Sequence, residues 1–268
     1  MNIGILSKRT TNFTAKIRSY YEQEGYNVKI YTKKNLSIND SLIENDFFIL
    51  KSKQLQFLYA GYFLEANDIP VIPNTEISFK CKNRIEASFL LKSLGFNSPQ
   101  IFLGTFEAIK QELNKSCFPL ILKPIMGSGS RGVKLINSFK DFKKDNNSIL
   151  YLEKFIVGIH YIAYFINDHI CICEKKPLVD EHASVILIKT PSDIRDIIFK
   201  WKKKYNLLFG HLDIVKETIT NKLYVVDVGS FPEFSNWKCK DDPVSSVGDI
   251  IIKRYEAIKN KQIIKSKK

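Results

Sequence analysis

The residues of this sequence best able to do chemistry are a lysine at the mouth of a glycine-rich turn and two aspartates set in apolar runs. The lysine ends Phe118-Pro119-Leu120-Ile121-Leu122-Lys123, and Pro124-Ile125-Met126-Gly127-Ser128-Gly129-Ser130-Arg131-Gly132 turns the chain back into Val133-Lys134-Leu135. Closely spaced glycines let a backbone turn tightly and bring its N–H groups against an anion. Lys123 would add a point charge to the same anion. Residues 132–136 read as a strand, so the segment is neither a P-loop nor a dinucleotide fingerprint, both of which continue into a helix. A strand–loop–strand flap over a triphosphate remains, against the plainer reading of a glycine-rich hairpin without a ligand.

The aspartates lie in Leu212-Asp213-Ile214-Val215 and in Leu223-Tyr224-Val225-Val226-Asp227-Val228-Gly229-Ser230-Phe231-Pro232, which read as adjacent strands. A carboxylate in an apolar strand is costly unless a cation or donor satisfies it. Two of them on neighbouring strands suit a hard cation with oxygen ligands, and Mg²⁺ on nucleotide phosphates is the common case. The alternative is a pair of edge aspartates facing water. Carboxylates close enough to share an ion repel, so without metal at least one is expected to titrate above its usual range.

Taken in order, these segments resemble the ATP-grasp superfamily, specifically its RimK-like ligase branch and the related inositol polyphosphate kinases. The resemblance runs over nearly the whole chain and takes in Asn67-Asp68-Ile69-Pro70-Val71-Ile72-Pro73-Asn74 and Lys82-Asn83-Arg84 as the entry to a central unit. It implies an α/β fold with a small N-terminal parallel-sheet domain followed by two α+β subdomains enclosing ATP. ATP and Mg²⁺ are the implied cofactors. Arg84 and Lys123 stand at the nucleotide cation positions, and Gly127, Ser128, Gly129, Ser130 and Gly132 form the phosphate flap. Glu153, Lys154, Phe155 and Ile156 resemble the hinge that holds adenine, with Glu153 for the adenine amino group or the ribose. Lys175, Lys176 and Arg131 are the implied catalytic cations, the lysine pair facing the anionic part of the substrate, and Asp213 and Asp227 the metal ligands. Three positions depart from the family. Gly229 stands where an asparagine is usual, His160 to Ile166 carries no lysine or arginine where one is expected near Ile162, and Arg84 replaces a lysine.

The elements that must position these residues follow from the pattern. Ile3 to Leu6, Thr14 to Glu24 and Val28 to Tyr31 read as a βαβ opening, with Phe47 to Leu50 and Pro70 to Ile72 as further strands. Leu150 to Phe155, Tyr161 to Ile166 and Ile170 to Lys175 read as strands, with Asn167-Asp168 as a turn. Thr190 is expected to cap a helix with Pro191 at its first position and Asp193 in its first turn, and Val244 to Lys259 reads as a closing helix. The expected division is residues 1–80, 81–148 with the flap, 149–260 with hinge and metal strands, and a frayed basic tail at 261–268.

Composition bounds the rest. The 268 residues carry 41 Lys plus Arg against 28 Asp plus Glu, a net charge of +13, which favours anionic partners. Aromatic and basic residues do not interleave on one face, so nucleic acid is not the expected partner. Five cysteines without ligand spacing, and no signal-like start, read as reduced thiols in the cytoplasm; Cys171 and Cys173 are expected to point to opposite faces of one strand. No run is long enough for a membrane span. Of four scattered histidines only His182, beside Asp180 and Glu181, is a candidate acid–base group. The resemblance implies a ligase that joins a carboxylate to an amine through an acyl phosphate, acting on a small, anionic acceptor. An inositol phosphate kinase and a nucleotide-binding protein without turnover are the alternatives, and the oligomeric state stays open.

Overall fold

The computed structural model describes residues 1–127, 132–142, 148–176 and 184–266, apart from the side chains of 263, 265 and 266. Of the residues singled out above, Ser128, Gly129, Ser130, Arg131, Asp180, Glu181 and His182 lie outside that set. The chain opens with β1 (Asn2–Leu6), α1 (Asn12–Gln23), β2 (Asn27–Tyr31), β3 (Phe47–Leu50), α2 (Leu55–Ala66) and β4 (Val71–Ile72). The four strands form a parallel sheet in the order β2-β1-β3-β4. The near-continuous apolar runs of β1, β3 and β4 fit strands covered on both faces, while β2 at the edge exposes Asn27 and Lys29. Thr11 and Thr14 close a reciprocal capping box at the start of α1, and Gly25 follows its end at φ +81°.

Two short helices lead out of this unit, α3 (Thr75–Lys82) and α4 (Arg84–Ser93). They are split at Asn83, whose side chain accepts from the backbone N–H groups of Ile85 and Glu86 and so starts α4 at Arg84. Next come β5 (Ile101–Gly104), α5 (Phe106–Glu112), β6 (Leu120–Lys123), β7 (Lys134–Ile136) and β8 (Leu150–Lys154). They build an antiparallel sheet ordered β5-β8-β6-β7, in which β6 and β7 are the two arms of the glycine-rich turn.

The third sheet is made by β9 (Gly158–Ile166), β10 (His169–Lys175), β11 (Ile186–Ile188), β12 (Phe209–Glu217) and β13 (Leu223–Gly229), in the order β11-β10-β9-β12-β13. One face packs on α6 (Ser192–Tyr205) through Ile194, Ile198 and Trp201, with Ala87 and Leu91 of α4 beside them. The other packs against the N-terminal unit and α7 (Pro243–Ser266), where Phe209, Phe231, Val247 and Ile251 share a core with Ile3, Ile5 and Phe13. The parallel sheet therefore completes its core only with the far end of the chain. Tyr21 fixes that closure by donating from its hydroxyl to the Gly248 carbonyl at 3.0 Å.

Three local expectations are corrected. Pro191, not Thr190, is the cap of α6: its carbonyl accepts the first helical bond from the Arg195 N–H at 3.1 Å. The helix read as ending at Lys259 runs to Ser266, so residues 261–266 are helical rather than a frayed tail. Val244, Val247, Ile251 and Tyr255 bury one stripe of α7, and the lysine- and glutamine-rich end continues it with good helix formers. Cys171 and Cys173 share one strand face, as a period of two requires, and the Cys239 N–H donates to the Cys171 sulfur at 3.2 Å. Hydrogen bonding to Cys173 is the main cause that lowers the Cys171 thiol to about 6. Among the described residues no helix is long and apolar enough to cross a membrane.

Trp201 is fully buried between α6 and the third sheet. Trp201→Ala is expected to lower unfolding stability by about 3–5 kcal/mol in a urea titration, the range for deleting a buried aromatic.

Candidate active site

Lys123 ends β6, and its ammonium donates to the Glu153 carboxylate on β8 and to the Val226 carbonyl on β13 at 3.1 Å. Tyr151 donates to the other Glu153 oxygen at 2.8 Å. Both charged side chains are at least nine-tenths buried. The Glu153 carboxylate, expected at adenine or ribose, is thus engaged on both oxygens by the protein. Val226 is turned to Lys123 by a local irregularity. Asp213 pairs with Asp227 but Ile214 pairs with Val225, leaving Val226 as the extra residue of a bulge. One contact therefore ties the second sheet to the third beside both aspartates.

Asp213 and Asp227 face each other directly across β12 and β13, a placement that sets Cβ atoms about 4.5–5.5 Å apart. Asp213 Oδ2 accepts from Lys175 at 2.8 Å, while its Oδ1 is buried with no partner. Asp227 Oδ2 lies 4.0 Å from the Arg84 guanidinium. Burial pushes the Asp213 carboxyl up, but the charges of Lys175 and His211 and the Lys175 hydrogen bond outweigh it, and the group sits below its usual range. The expected rise is overturned for Asp213, because a lysine already stands where a second cation would go. Among the described residues no three His, Cys, Asp or Glu side chains form a group that could hold a metal. The orphaned Asp213 oxygen and the facing carboxylates still fit a small oxygen-seeking cation once Lys175 is displaced.

Arg84, Lys123, Lys175, Lys176, Asp213 and Asp227 all line one cavity of about 90 Å³ between the second and third sheets. Phe155, Ile156, Ile121 and Val215 give it an apolar end. Arg84 is locked into the root of the flap: its N–H donates to the Ile125 carbonyl at 3.0 Å and its guanidinium to the Pro124 carbonyl. A Cβ at Gly127 would come within 2.3 Å of that guanidinium, so a side chain there must displace the end of Arg84, and Gly132 returns the chain at φ +75°. Lys154 points its ammonium elsewhere, onto the carbonyls of Ser116, Cys117 and Phe118 at 2.7, 2.8 and 3.2 Å.

Sequence reasoning missed several contributors. What it did not show is that Lys175, named above from the resemblance, pairs in register with His160 and so brings a cation to the stretch 160–166 that lacks one. His160 lines the cavity, and its imidazole is lowered to about 4 by burial and then by Lys175. Lys51 and Lys53, just beyond β3, hold the loop after β13 by donating to Pro232 and Phe231 carbonyls at 3.0 and 3.2 Å. Burial pushes the Lys53 ammonium down to about 7. The signal available in sequence was alternation: Phe209, His211 and Asp213 must share one face of β12. A larger cavity of about 300 Å³ lies elsewhere, against Pro70, Leu208 and Ile258, but its charged residues are only Glu65, Asp68 and Arg254. Convergent charge rather than volume marks the first as the candidate site.

Lys123→Met strands a buried carboxylate and is expected to cost about 3–5 kcal/mol on unfolding in urea. Adding Glu153→Gln should recover most of that loss; a double variant no more stable than the single would contradict the pairing. His160 tests the electrostatics independently. Its folded value lies below the unfolded one, so the unfolded chain binds the extra proton and stability falls as pH drops from about 6.5 to 4. His160→Gln should flatten the melting temperature over that window, and an unchanged slope would refute the assignment.

No protein-family model matches the chain. Over 246 residues it is 24% identical to the alpha-aminoadipate–LysW ligase LysX of Saccharolobus solfataricus, covering 79% of this chain and 86% of that protein. The RimK domain protein ATP-grasp from Sphaerobacter thermophilus superposes with a TM-score of 0.77 at 11% identity, over 93% of this chain and 98% of that one. The D-alanine–D-alanine ligase of Bacillus anthracis superposes with a TM-score of 0.71 at 18% identity, over 98% and 99% of the two chains. Three sheets joined in this order, with the end of β6 meeting an aspartate-bearing β12–β13 pair, are the ATP-grasp fold, and this chain has it.

Proposed function

We propose that this protein uses ATP to join a carboxylate to an amine. A carboxylate oxygen of the acceptor attacks the γ-phosphorus and ADP leaves. The amine nitrogen then attacks the acyl carbon, inorganic phosphate departs with that oxygen, and the nitrogen loses a proton. The observation that carries the reading is the Asp213–Asp227 pair set opposite Lys123 across one cleft of an ATP-grasp fold. Both the sequence relative and one of the superposed structures are named as ligases, which favours this reading over a kinase.

The residues divide the work by position. Lys123 and Arg84 present cationic groups to the phosphates from the cavity wall. Phe155, Ile156 and Val215 offer the apolar end to the adenine ring, with backbone groups of residues 153–156 at its edge. Asp213 and Asp227 would hold Mg²⁺, which when bound neutralises phosphate charge and orients it. Lys175 and Lys176 face the acceptor's anionic part, in keeping with the net charge of +13. Arg131, in the arm, is assigned to the same task by the resemblance alone.

The reading is tested by supplying Mg-ATP, candidate amines and a panel of acids labelled with ¹⁸O in the carboxylate. Amide formation should transfer one ¹⁸O to inorganic phosphate. A stable phosphorylated product with no label in free phosphate would replace the ligase by a kinase. Asp227→Asn should lower Mg-dependent ADP formation at least about a hundredfold, the scale of losing one transition-state stabiliser, with an unchanged melting temperature.

A further inference from the structure

We propose that Cys171 and Cys239 form a modification site, a dithiol that a hydroperoxide closes into a disulfide, binding the loop after β13 covalently to β10. The inference stands apart from the proposed reaction and uses none of its residues. Cys171 is fully buried on β10, and Cys239 lies partly exposed between β13 and α7.

That loop crosses the β10 face that carries the cysteines. The Cys239 N–H donates to the Cys171 sulfur at 3.2 Å, and the Cys173 thiol donates to the Asn236 carbonyl at 3.5 Å. The Cys239 sulfur lies 4.0 Å from the Ile170 carbonyl, beside Cys171. With an N–Cα bond of about 1.46 Å, the Cys239 Cα stands within about 4.7 Å of the Cys171 sulfur. A small shift of the loop then joins the two sulfurs. Cys173 is nearer in sequence but is the wrong partner. Residues i and i+2 of a strand are about 6.6 Å apart with parallel side chains, whereas a disulfide needs Cβ atoms about 3.5–4.5 Å apart. Among the described residues no three such side chains form a group that could hold a metal, which leaves sulfur–sulfur chemistry.

The charge of the pair sits where the step needs it. Hydrogen bonds from Cys173, then from Cys239 and the Lys238 and Cys239 N–H groups, hold the Cys171 thiol down to about 6 against burial. Burial, then the hydrogen bond to Cys171, pushes the Cys239 thiol up to about 12. Cys239, nearer solvent, gives its proton to Cys171 and attacks one peroxide oxygen. The O–O bond breaks, the hydroxide released takes that proton as water, and Cys239 is left as a sulfenic acid. The Cys171 thiolate then attacks the Cys239 sulfur, the S–O bond breaks, and hydroxide leaves with a solvent proton as a second water. The two sulfurs are oxidised and the peroxide is reduced. The bond joins residues 68 positions apart, and the ring so closed contains β12 and β13 with Asp213 and Asp227.

The test is treatment of the full chain with hydrogen peroxide at neutral pH, followed by thiol counting, peptide mapping and a thermal melt. Two of the five thiols should be lost, and the mapped bridge should join Cys171 to Cys239. The melting temperature should rise by about 5–10 °C and fall back with dithiothreitol. Cys239→Ser changes a partly exposed sulfur and leaves the buried one in place; it should keep its remaining thiols and show no rise. Cys173→Ser should retain the bridge. A bridge between any other pair, a sulfinic acid at Cys239 without a bridge, an unchanged thiol count, or a rise that survives in Cys239→Ser overturns the inference.

Discussion

A lysine ammonium buried against a glutamate and a bulge carbonyl sets the geometry on which the site depends. Lys123 stands on the second sheet, and Val226, whose carbonyl it reaches, stands on the third. The cleft between the sheets is pinned at this point. The bulge that frees the Val226 carbonyl also keeps Asp213 opposite Asp227 while the register shifts by one beyond them. Without the extra residue, pairing of Ile214 would fall to Val226 and Lys123 would lose its anchor on the far wall. A desolvated ion pair contributes little net stability, so its value here lies in fixing position.

The carboxylate patch is held from behind by a part of the chain more than a hundred and fifty residues away. Lys51 and Lys53 follow β3 and grip the loop after β13 through the carbonyls of Phe231 and Pro232. Lys51 also pairs with Glu233 at 2.9 Å. Phe231 and Phe234 of that loop pack on Phe13 and Phe209, and α7 closes the same core. The parallel sheet thus serves the site as a buttress for β12 and β13. Separated from them it would expose the apolar faces of Ile3, Ile5 and Phe13.

Much of this was legible in the residues. Apolar runs broken by glycine, proline and asparagine located the strands, and the cost of a carboxylate in such a run singled out Asp213 and Asp227 before any pairing was known. Lys123 was legible for the same reason, as a charge at the end of a buried strand. What stayed hidden depends on register. Glu153 reads as a strand-end glutamate until the antiparallel pairing of β6 with β8 brings it within reach of Lys123. His211 reads as a scattered histidine until β13 offers a glycine opposite it. Lys175 was named for the substrate's anionic part, but its partner Asp213, met across β9, was not legible. Each is a contact between residues thirty or more positions apart or across strands, beyond what local periodicity encodes. The tail at 261–266 was misread for a different reason: its charge suggested fraying, but helix propensity and the buried stripe upstream carry the helix through it.

The account places nucleotide between the second and third sheets and not in the larger cavity near Pro70 and Ile258. Hydrogen exchange of the chain with and without a non-hydrolysable ATP analogue and Mg²⁺ separates the two directly. The account predicts that protection rises together at residues 120–127, 150–156 and 223–229, with residues 68–74 and 254–262 unchanged. Protection confined to residues 68–74, 205–209 and 254–262, or no change at β6, β8 and β13, would contradict it.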